Sequence, residues 1–250
     1  MSKKFKDDDY WQIASRQMSI VCESEQQRFK DCKITVIGCG GIGGETIEML
    51  ARMGVGELVL VDEDSFDLSN LNRQNFATVD EIGQAKSEVA GKKVKLINPF
   101  VKVTSYNEHV DETNIDNIIG DSDIVIDALD NILTRVIVSR KAKEKGIAYV
   151  HGAIHGTLGQ ITTFLPNTES YEEMFSLPSF EKELTDSIIE ELKNVTSGIP
   201  PVIGPTPNLI GCLQAFEAYK IITGIGKVTV APKILTFDLL DLGSFLLDEF

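Results

Sequence analysis

Two short stretches place side chains able to do chemistry at informative spacing. Gly38, Gly40 and Gly43, with Gly41 between them, form G-x-G-x-x-G at the end of the apolar, β-branched run 33-KITVIG-38. The first glycine permits a tight turn, the second lets backbone approach a phosphate, and the third lets helix and strand pack closely. The other stretch, 62-DEDSFDLSNLNRQNF-76, follows the apolar run 57-ELVLV-61. It sets Asp62, Asp64 and Asp67 ahead of Arg73, which is flanked by Asn70, Asn72, Gln74 and Asn75. Asp62 falls at a strand end, where a carboxylate can hydrogen-bond ribose hydroxyls. Together these point to a nucleotide with a free ribose. The competing reading is a glycine turn demanded by packing alone, and the motif by itself does not separate NAD from ATP.

Further residues bear on that choice. The pyrophosphate of a dinucleotide is largely satisfied by a helix N-terminus. A triphosphate carries more charge and calls for side-chain cations and Mg²⁺. Here Arg73 is joined by Lys86, in 83-GQAKSE-88, and by Asp127, Asp130 and Asn131, in 127-DALDN-131. Loops at the carboxyl ends of parallel strands are where ligands of open α/β sheets bind. An Arg, a Lys and an Asp on three such loops fit a Mg-triphosphate site, although each taken alone also fits a surface ion pair. His151 and His155, in 151-HGAIHG-156, leave three readings open: a metal pair, substrate contacts, or loop hydrogen bonding.

The elements needed to position these residues are visible as an alternation. Strands are expected over 33–38, 57–62, 101–106, 122–127 and 147–151, and helices over 42–54, 81–97, 111–119 and 131–145. This βαβα order implies a parallel sheet with helices on both faces. Residues 1–32 read as a polar helical segment with scattered apolar positions at Met18, Ile20, Val21 and Phe29. After 152 the rhythm changes. A strand is expected over 158–166, followed by an acidic crossing segment over 166–200. Phe180, Leu184, Ile188 and Leu192 mark an amphipathic helix there, ended by Gly198 and Pro200. A further helix over 204–224 has Thr206 as N-cap and Pro207 at its first position. A strand over 233–239 precedes a short tail. The fold class is therefore α/β, a Rossmann-like mostly parallel sheet extended by antiparallel strands and a crossing segment. It reads as one domain over 1–250: a helical segment (1–32), a nucleotide-binding half (33–152) and an extension (153–250).

Bulk properties limit the partners. Hydrophobic residues make up 42% of 250 positions, enough for a sizeable core. The net charge of −14 argues against general affinity for nucleic acid or anionic membrane, so an anionic substrate has to be held by local cations. No apolar run approaches the ~18 residues of a membrane span. Cys22, Cys32, Cys39 and Cys212 form no CxxC pair. With no signal peptide in view, they are expected to be reduced thiols of a cytoplasmic protein.

The run from Gly38 to Gln74, with 83-GQAKSE-88, 97-INP-99, 127-DALDN-131, 158-LGQITTF-164 and 211-GCLQAFEAYKIITG-224, resembles the ThiF/MoeB/HesA family of adenylating enzymes, relatives of ubiquitin-activating enzymes. The resemblance implies attack of a carboxylate on the α-phosphorus of ATP, giving acyl-AMP and pyrophosphate. It implies that Asp62 holds the ribose and that Arg73 and Lys86 clamp phosphates. Asp130 holds Mg²⁺, and Asp64, Asn70, Gln74 and Asn131 line the nucleotide site with the glycines. The early 15-SRQ-17 resembles the family element whose arginine, here Arg16, enters the partner's site in a homodimer.

The sequence departs from the family in two ways. Many members bind structural zinc through two CxxC pairs, which are missing here, so no zinc is expected. Residues 166–211 also lack the cysteine on which some members carry the acyl group, while Cys39 and Cys212 read as structural. These departures favour a small-molecule carboxylate as substrate, such as the pyridinol carboxylate of the guanylylpyridinol precursor of the [Fe]-hydrogenase cofactor, with a separate thiol enzyme accepting the acyl group. The alternative is the C-terminal glycine of a ubiquitin-like sulfur carrier protein. An NAD-dependent oxidoreductase has no need of Arg73, Lys86 and Asp130 together, and a non-catalytic scaffold is free to lose them.

Overall fold

A computed structural model describes residues 5–195 and 200–249. Five parallel strands form the centre: β1 (Lys33–Ile37), β2 (Glu57–Val61), β3 (Lys102–Tyr106), β4 (Ile124–Asp127) and β5 (Ala148–His155). Antiparallel β6 (Leu158–Phe164), β7 (Lys233–Asp238) and β8 (Asp241–Glu249) extend them, in the order β3-β2-β1-β4-β5-β6-β7-β8. The chain leaves β1 to build outward on one side through β2 and β3. It then returns to place β4 on the other side. That reversal puts a crevice between the carboxyl ends of β1 and β4, the usual ligand position in such sheets.

Strands β1, β2 and β4 are buried on both faces because helices cover both. Ile34, Val36, Leu58, Leu60, Ile124 and Ile126 join one core and Ile37, Val59, Val61 and Val125 the other, as period-2 alternation requires. The first core lies under α2 (Glu23–Asp31), α3 (Gly41–Met53), α4 (Lys86–Ile97) and α9 (Pro205–Thr223). The second lies under α5 (Ile115–Ile119), α6 (Ile132–Lys145), α7 (Tyr171–Met174) and α8 (Asp186–Val195). The close crossing of α9 on α3 uses Gly211, where an added Cβ would come within 2.6 Å of the Ile42 carbonyl. Among the described residues no helix is long and apolar enough to cross a membrane.

Several elements differ from the sequence expectation, each for a local reason. The helix expected from 81 begins at Lys86. Residues 83 to 86 pair instead with 64 to 66, through Gly83 N–H to Phe66 O, Phe66 N–H to Gln84 O and Lys86 N–H to Asp64 O. The helix expected from 111 begins at Ile115, because the Asp111 carboxylate captures the amides of Thr113 and Asn114 in a turn. In the crossing segment only Ile188 and Leu192 lie on a helix; Phe180 and Leu184 precede it. Arg140 takes the carbonyls of Ser179 and Lys182, at 2.8 and 2.9 Å, which diverts that backbone from helical bonding. Gly198, the expected stop, lies outside the described residues. The N-cap of α9 is Gly204, with Pro205 rather than Pro207 at its start. The tail is strand β8, turned back by Asp238, whose carboxylate accepts the Leu240 amide.

The N-terminal segment is two helices, α1 (Asp7–Ala14) and α2, joined by a turn. A buried amide fixes it to the domain. Gln26, fully buried, donates to Tyr10 Oη (2.8 Å) and the Met53 carbonyl (2.9 Å), and accepts from Tyr219 Oη (2.6 Å) and Gln17 Nε2 (2.7 Å). Tyr10 Oη in turn donates to the Gly54 carbonyl just past α3 (2.6 Å). Gln26→Ala strands these buried partners, so we expect a loss of about 1–3 kcal/mol, read as a lower midpoint in chemical denaturation.

Candidate functional site

The turn from β1 into α3 is the hub of the site. Gly38 has φ +98°, and an added Cβ there would collide with the Ala128 carbonyl at the end of β4. A Cβ on Gly43 would collide with the Gly38 carbonyl. The loop therefore lies directly against the β4 loop, as the crevice position requires. On its other flank, Cys39 N–H donates to Asp62 Oδ2 (2.7 Å), and Gln74 Nε2 lies 3.5 Å from the Cβ position of Gly40. Gly41, the first residue of α3, packs at its Cβ position against Pro207 (3.1 Å) and the Arg73 carbonyl (3.6 Å). Amides at the start of a 13-residue helix, with no side-chain cap hydrogen bond, suit a phosphate.

Asp62 leaves β2 half-buried, with its second oxygen accepting from Asp64 N–H (2.9 Å). Burial raises its pKa, a tendency that Lys86 and these amides oppose. Lys86, buried at the first turn of α4, pairs with the exposed Asp64 at 2.8 Å. The pairing of 83–86 with 64–66 is what brings the two together. Asn107, one residue past β3, reaches the carbonyls of Asp62 (3.1 Å) and Glu63 (3.2 Å) and donates to both when its amide nitrogen is turned toward them; no sequence signal marked it.

The Arg73 segment is held from below. Asn70 is buried and its side chain accepts from Asp67 N–H (3.0 Å). Arg73 Nη1 donates to Ser69 O and to Asn72 Oδ1, both at 2.8 Å. Asn75 donates to Glu45, a carboxylate buried in α3 that also accepts from Cys212 (3.2 Å). Gln74 is buried with its Oε1 unpaired, beside the glycine loop. The segment before α9 closes this side. Gly156 N–H, at the turn between β5 and β6, donates to Pro201 O (2.9 Å), and Gly204 abuts the Asn72 carbonyl.

The β4 loop carries the remaining candidates. Asp130 is exposed, and among the described residues its carboxylate makes no hydrogen bond or ion pair. Asn131 caps α6, its Oδ1 accepting from Thr134 N–H (2.9 Å). His151 and His155 part company. His155 is exposed at the end of β5. His151 is fully buried, with Nδ1 2.7 Å from Asp127 Oδ2 and Nε2 3.4 Å from Gln160, in an aromatic cluster with Tyr149, Tyr171 and Phe175. Asp127, also fully buried, accepts from Tyr149 Oη (2.7 Å) and lies 3.2 Å from Arg135 Nε. Arg135 escaped the sequence reading; its signal was a lone cation among apolar positions of 132-ILTRVIV-138.

Arg16 is exposed in the turn between α1 and α2, with no hydrogen bond or ion pair to the described residues. Its neighbour Gln17 donates to the Met53 carbonyl at the far end of α3 (2.9 Å). At about 1.5 Å rise per residue, that end is about 20 Å from the glycine loop. The chain thus holds Arg16 away from its own site.

The cysteines are free, and three, Cys32, Cys39 and Cys212, are held as thiols. Burial raises Cys39 well above the usual range, and burial with the Glu45 hydrogen bond pushes Cys212 up to about 12. Among the described residues no group of three or more His, Cys, Asp or Glu side chains could hold a metal by itself.

The ThiF family model matches residues 14–247, and the chain belongs to that family. It is 36% identical over 217 residues to the SAMP-activating enzyme E1 of Haloferax volcanii, covering 87% of this chain and 76% of that one. It is 33% identical over 222 residues to the sulfur carrier protein adenylyltransferase of Thermus thermophilus, covering 86% and 78%. Two other relatives are longer, and this chain spans only 59% and 51% of them. The crystal structure of PaaA superposes with a TM-score of 0.77 at 22% identity, covering all of this chain and 75% of that one, a likeness of fold. Within the family, the chain is an ATP-dependent adenylyltransferase.

The buried cluster makes a pH prediction. Burial lowers the His151 pKa below the usual 6.5 despite Asp127, so the folded imidazole is neutral at pH 7. Burial alone would raise Asp127; Arg135, then the His151 hydrogen bond, outweigh it and hold the carboxyl below 3.8. As pH falls below 6.5 the unfolded chain takes up a His151 proton that the folded chain refuses, so stability falls. The Asp127 contribution is present above 3.8 and is lost as pH falls through its lower folded value. We expect His151→Gln to flatten the upper window, while the lower one, held first by Arg135, persists in reduced form, measured by denaturation midpoints from neutral to acid pH.

Proposed function

We propose that this chain uses Mg-ATP to adenylylate the C-terminal carboxylate of a ubiquitin-like sulfur carrier protein. The observation that carries this reading is the convergence on one glycine loop of Asp62, the Arg73–Gln74 segment and the β4 loop bearing Asp130, with Lys86 beside Asp64. That is the provision a triphosphate needs and a dinucleotide does not. The names of the Haloferax and Thermus relatives support the carrier as acyl donor.

In this reading Asp62 receives the ribose hydroxyls, and the amides of Gly40 and Gly41 face the phosphates. A carboxylate oxygen of the substrate attacks the α-phosphorus, the bond to the bridging oxygen breaks, and pyrophosphate leaves. Arg73 and Lys86 offset the charge that develops on it. Asn70 holds the Arg73 turn, Gln74 covers the loop, and Asn131 fixes the start of α6. Mg²⁺ usually takes one or two carboxylates together with substrate phosphates, and the unengaged Asp130 fits that donor set. Bound there, it would neutralise phosphate charge. Arg16 completes the partner's site in a homodimer, since it stands at the wrong end of α3 to serve its own. His155, exposed at the end of β5, would be the one of the two free to meet the acyl group, whereas His151 is committed to Asp127.

A second reading has one observation in its favour. Residues 166–211 contain no cysteine, so no thiol lies there to keep the acyl group. A small acid such as the pyridinol carboxylate, passed to a separate thiol enzyme, fits that composition. ATP–pyrophosphate exchange separates the two: exchange should depend on an added carrier protein ending in glycine. Exchange with the pyridinol carboxylate and none with carriers would overturn the choice.

The shared site has its own test. Arg16→Ala and Lys86→Ala should each lose about 100-fold in rate, on the order of 3 kcal/mol for one lost transition-state contact. After subunit exchange of the mixed variants, half the dimers are heterodimers with one intact site, so roughly a quarter of wild-type activity should return. No recovery despite verified exchange would place Arg16 outside the site.

A further inference from the structure

We propose that Asp127 and Arg135 are positioning residues, which together clamp the backbone of Leu129 and so aim the neighbouring Asp130 carboxylate at the phosphates. The inference rests on the reading of Asp130 given above. Asp127 Oδ1 accepts from Leu129 N–H at 2.9 Å, and Arg135 Nη2 donates to the Leu129 carbonyl. The two side chains come from opposite ends of the loop, Asp127 from the last residue of β4 and Arg135 from the first turns of α6. Arg135 Nε lies 3.2 Å from Asp127 Oδ2, so each clamp braces the other across the loop. Both side chains are buried: Asp127 is fully enclosed and Arg135 is 8% exposed.

The rest of the loop is fixed in the same way. Ala128 N–H donates to Ile37 O (2.9 Å), and the Asp127 carbonyl accepts from Gln214 Nε2 of α9 (2.6 Å). Tyr149 and His151 occupy Asp127 Oδ2, so the carboxylate cannot rotate without losing several bonds. Asp130 is the next residue after Leu129, and its side chain alone remains unengaged in an otherwise pinned turn. A buried ion pair is poor value as a stabiliser, because apolar replacements of similar volume are often neutral or better. No apolar pair, however, can bind both the N–H and the C=O of one residue. The geometry therefore assigns the charges to orientation.

The test measures nucleotide binding by calorimetry on the full chain. Asp127→Leu combined with Arg135→Met removes both charges together. Arg135→Lys keeps a cation near Asp127 but loses the planar fork, and it serves if the pair variant does not fold. Binding of AMP without Mg²⁺, which reads Asp62 and confirms the fold, should stay within about twofold of wild type. The Kd for Mg-ATP should rise about tenfold, an effect of the size expected for one well-placed contact. Asp130→Ala should show the same loss, and adding it to Arg135→Lys should cost little more, since both act through one carboxylate. If the clamp variants bind Mg-ATP like wild type while Asp130→Ala does not, the positioning role is overturned and the Asp130 reading stands. If Asp130→Ala itself binds Mg-ATP normally, the reading beneath the inference fails, and the inference with it.

Discussion

The structure depends on one steric constraint, the turn from β1 into α3. The chain passes from strand to helix so tightly that the Gly38 carbonyl occupies the Cβ position of Gly43, and the Ala128 carbonyl occupies that of Gly38. Only glycine fits at either place, and at Gly38 the backbone angle also favours it. Because nothing stands between the turn and the β4 loop, the amides at the start of α3, the Asp62 carboxylate and the β4 loop share one small volume. Asp62, Gln74 and the β4 loop are each placed by contact with that turn.

The chain then secures each group with a backbone device rather than with bulk packing. Lys86 reaches Asp64 because residues 83–86 pair with 64–66. Arg73 is held by Ser69 and Asn72, Asn70 closes the turn before it, and Asp127 with Arg135 fixes the loop before Asp130. Such bonds cost conformational entropy at folding rather than at binding. A site arranged in this way approaches a nucleotide with little left to reorganise.

How much of this was legible in the sequence follows from how local each cause is. The central strands β1, β2 and β4 were readable because burial on both faces demands unbroken apolar runs, and the glycine loop because its spacing is itself the geometry. The clamps were not. Arg135 looks like one cation on a helix, and only the return of β4 beside β5 shows that Asp127, His151 and Tyr149 surround it. His151 and His155 sit four positions apart on one strand and share a face, yet one is enclosed and the other exposed. The strand runs past the end of β4, from buried sheet to solvent, and no periodicity records that. The late start of α4 was hidden for the same reason, since Gly83 and Gln84 bond to Phe66 across a loop rather than along a helix.

The charge balance ties these features together. A chain of net charge −14 repels a polyphosphate at long range, so attraction has to be local and short-ranged. Lys86 lies beneath an exposed Asp64, and Arg73 beneath backbone and amide oxygens. Both cations are thus partly neutralised by acceptors that a phosphate can replace. Because Asp64 is open to solvent, exchanging it for phosphate oxygen leaves no buried anion unpaired. The Asp127–Arg135 pair behaves in the opposite way, because its carboxylate is fully enclosed and holds one geometry throughout. The same residue types therefore do two different jobs, and the exposure of the carboxylate decides which: an enclosed carboxylate sets the shape of the site, and an exposed one can yield its cation to the ligand.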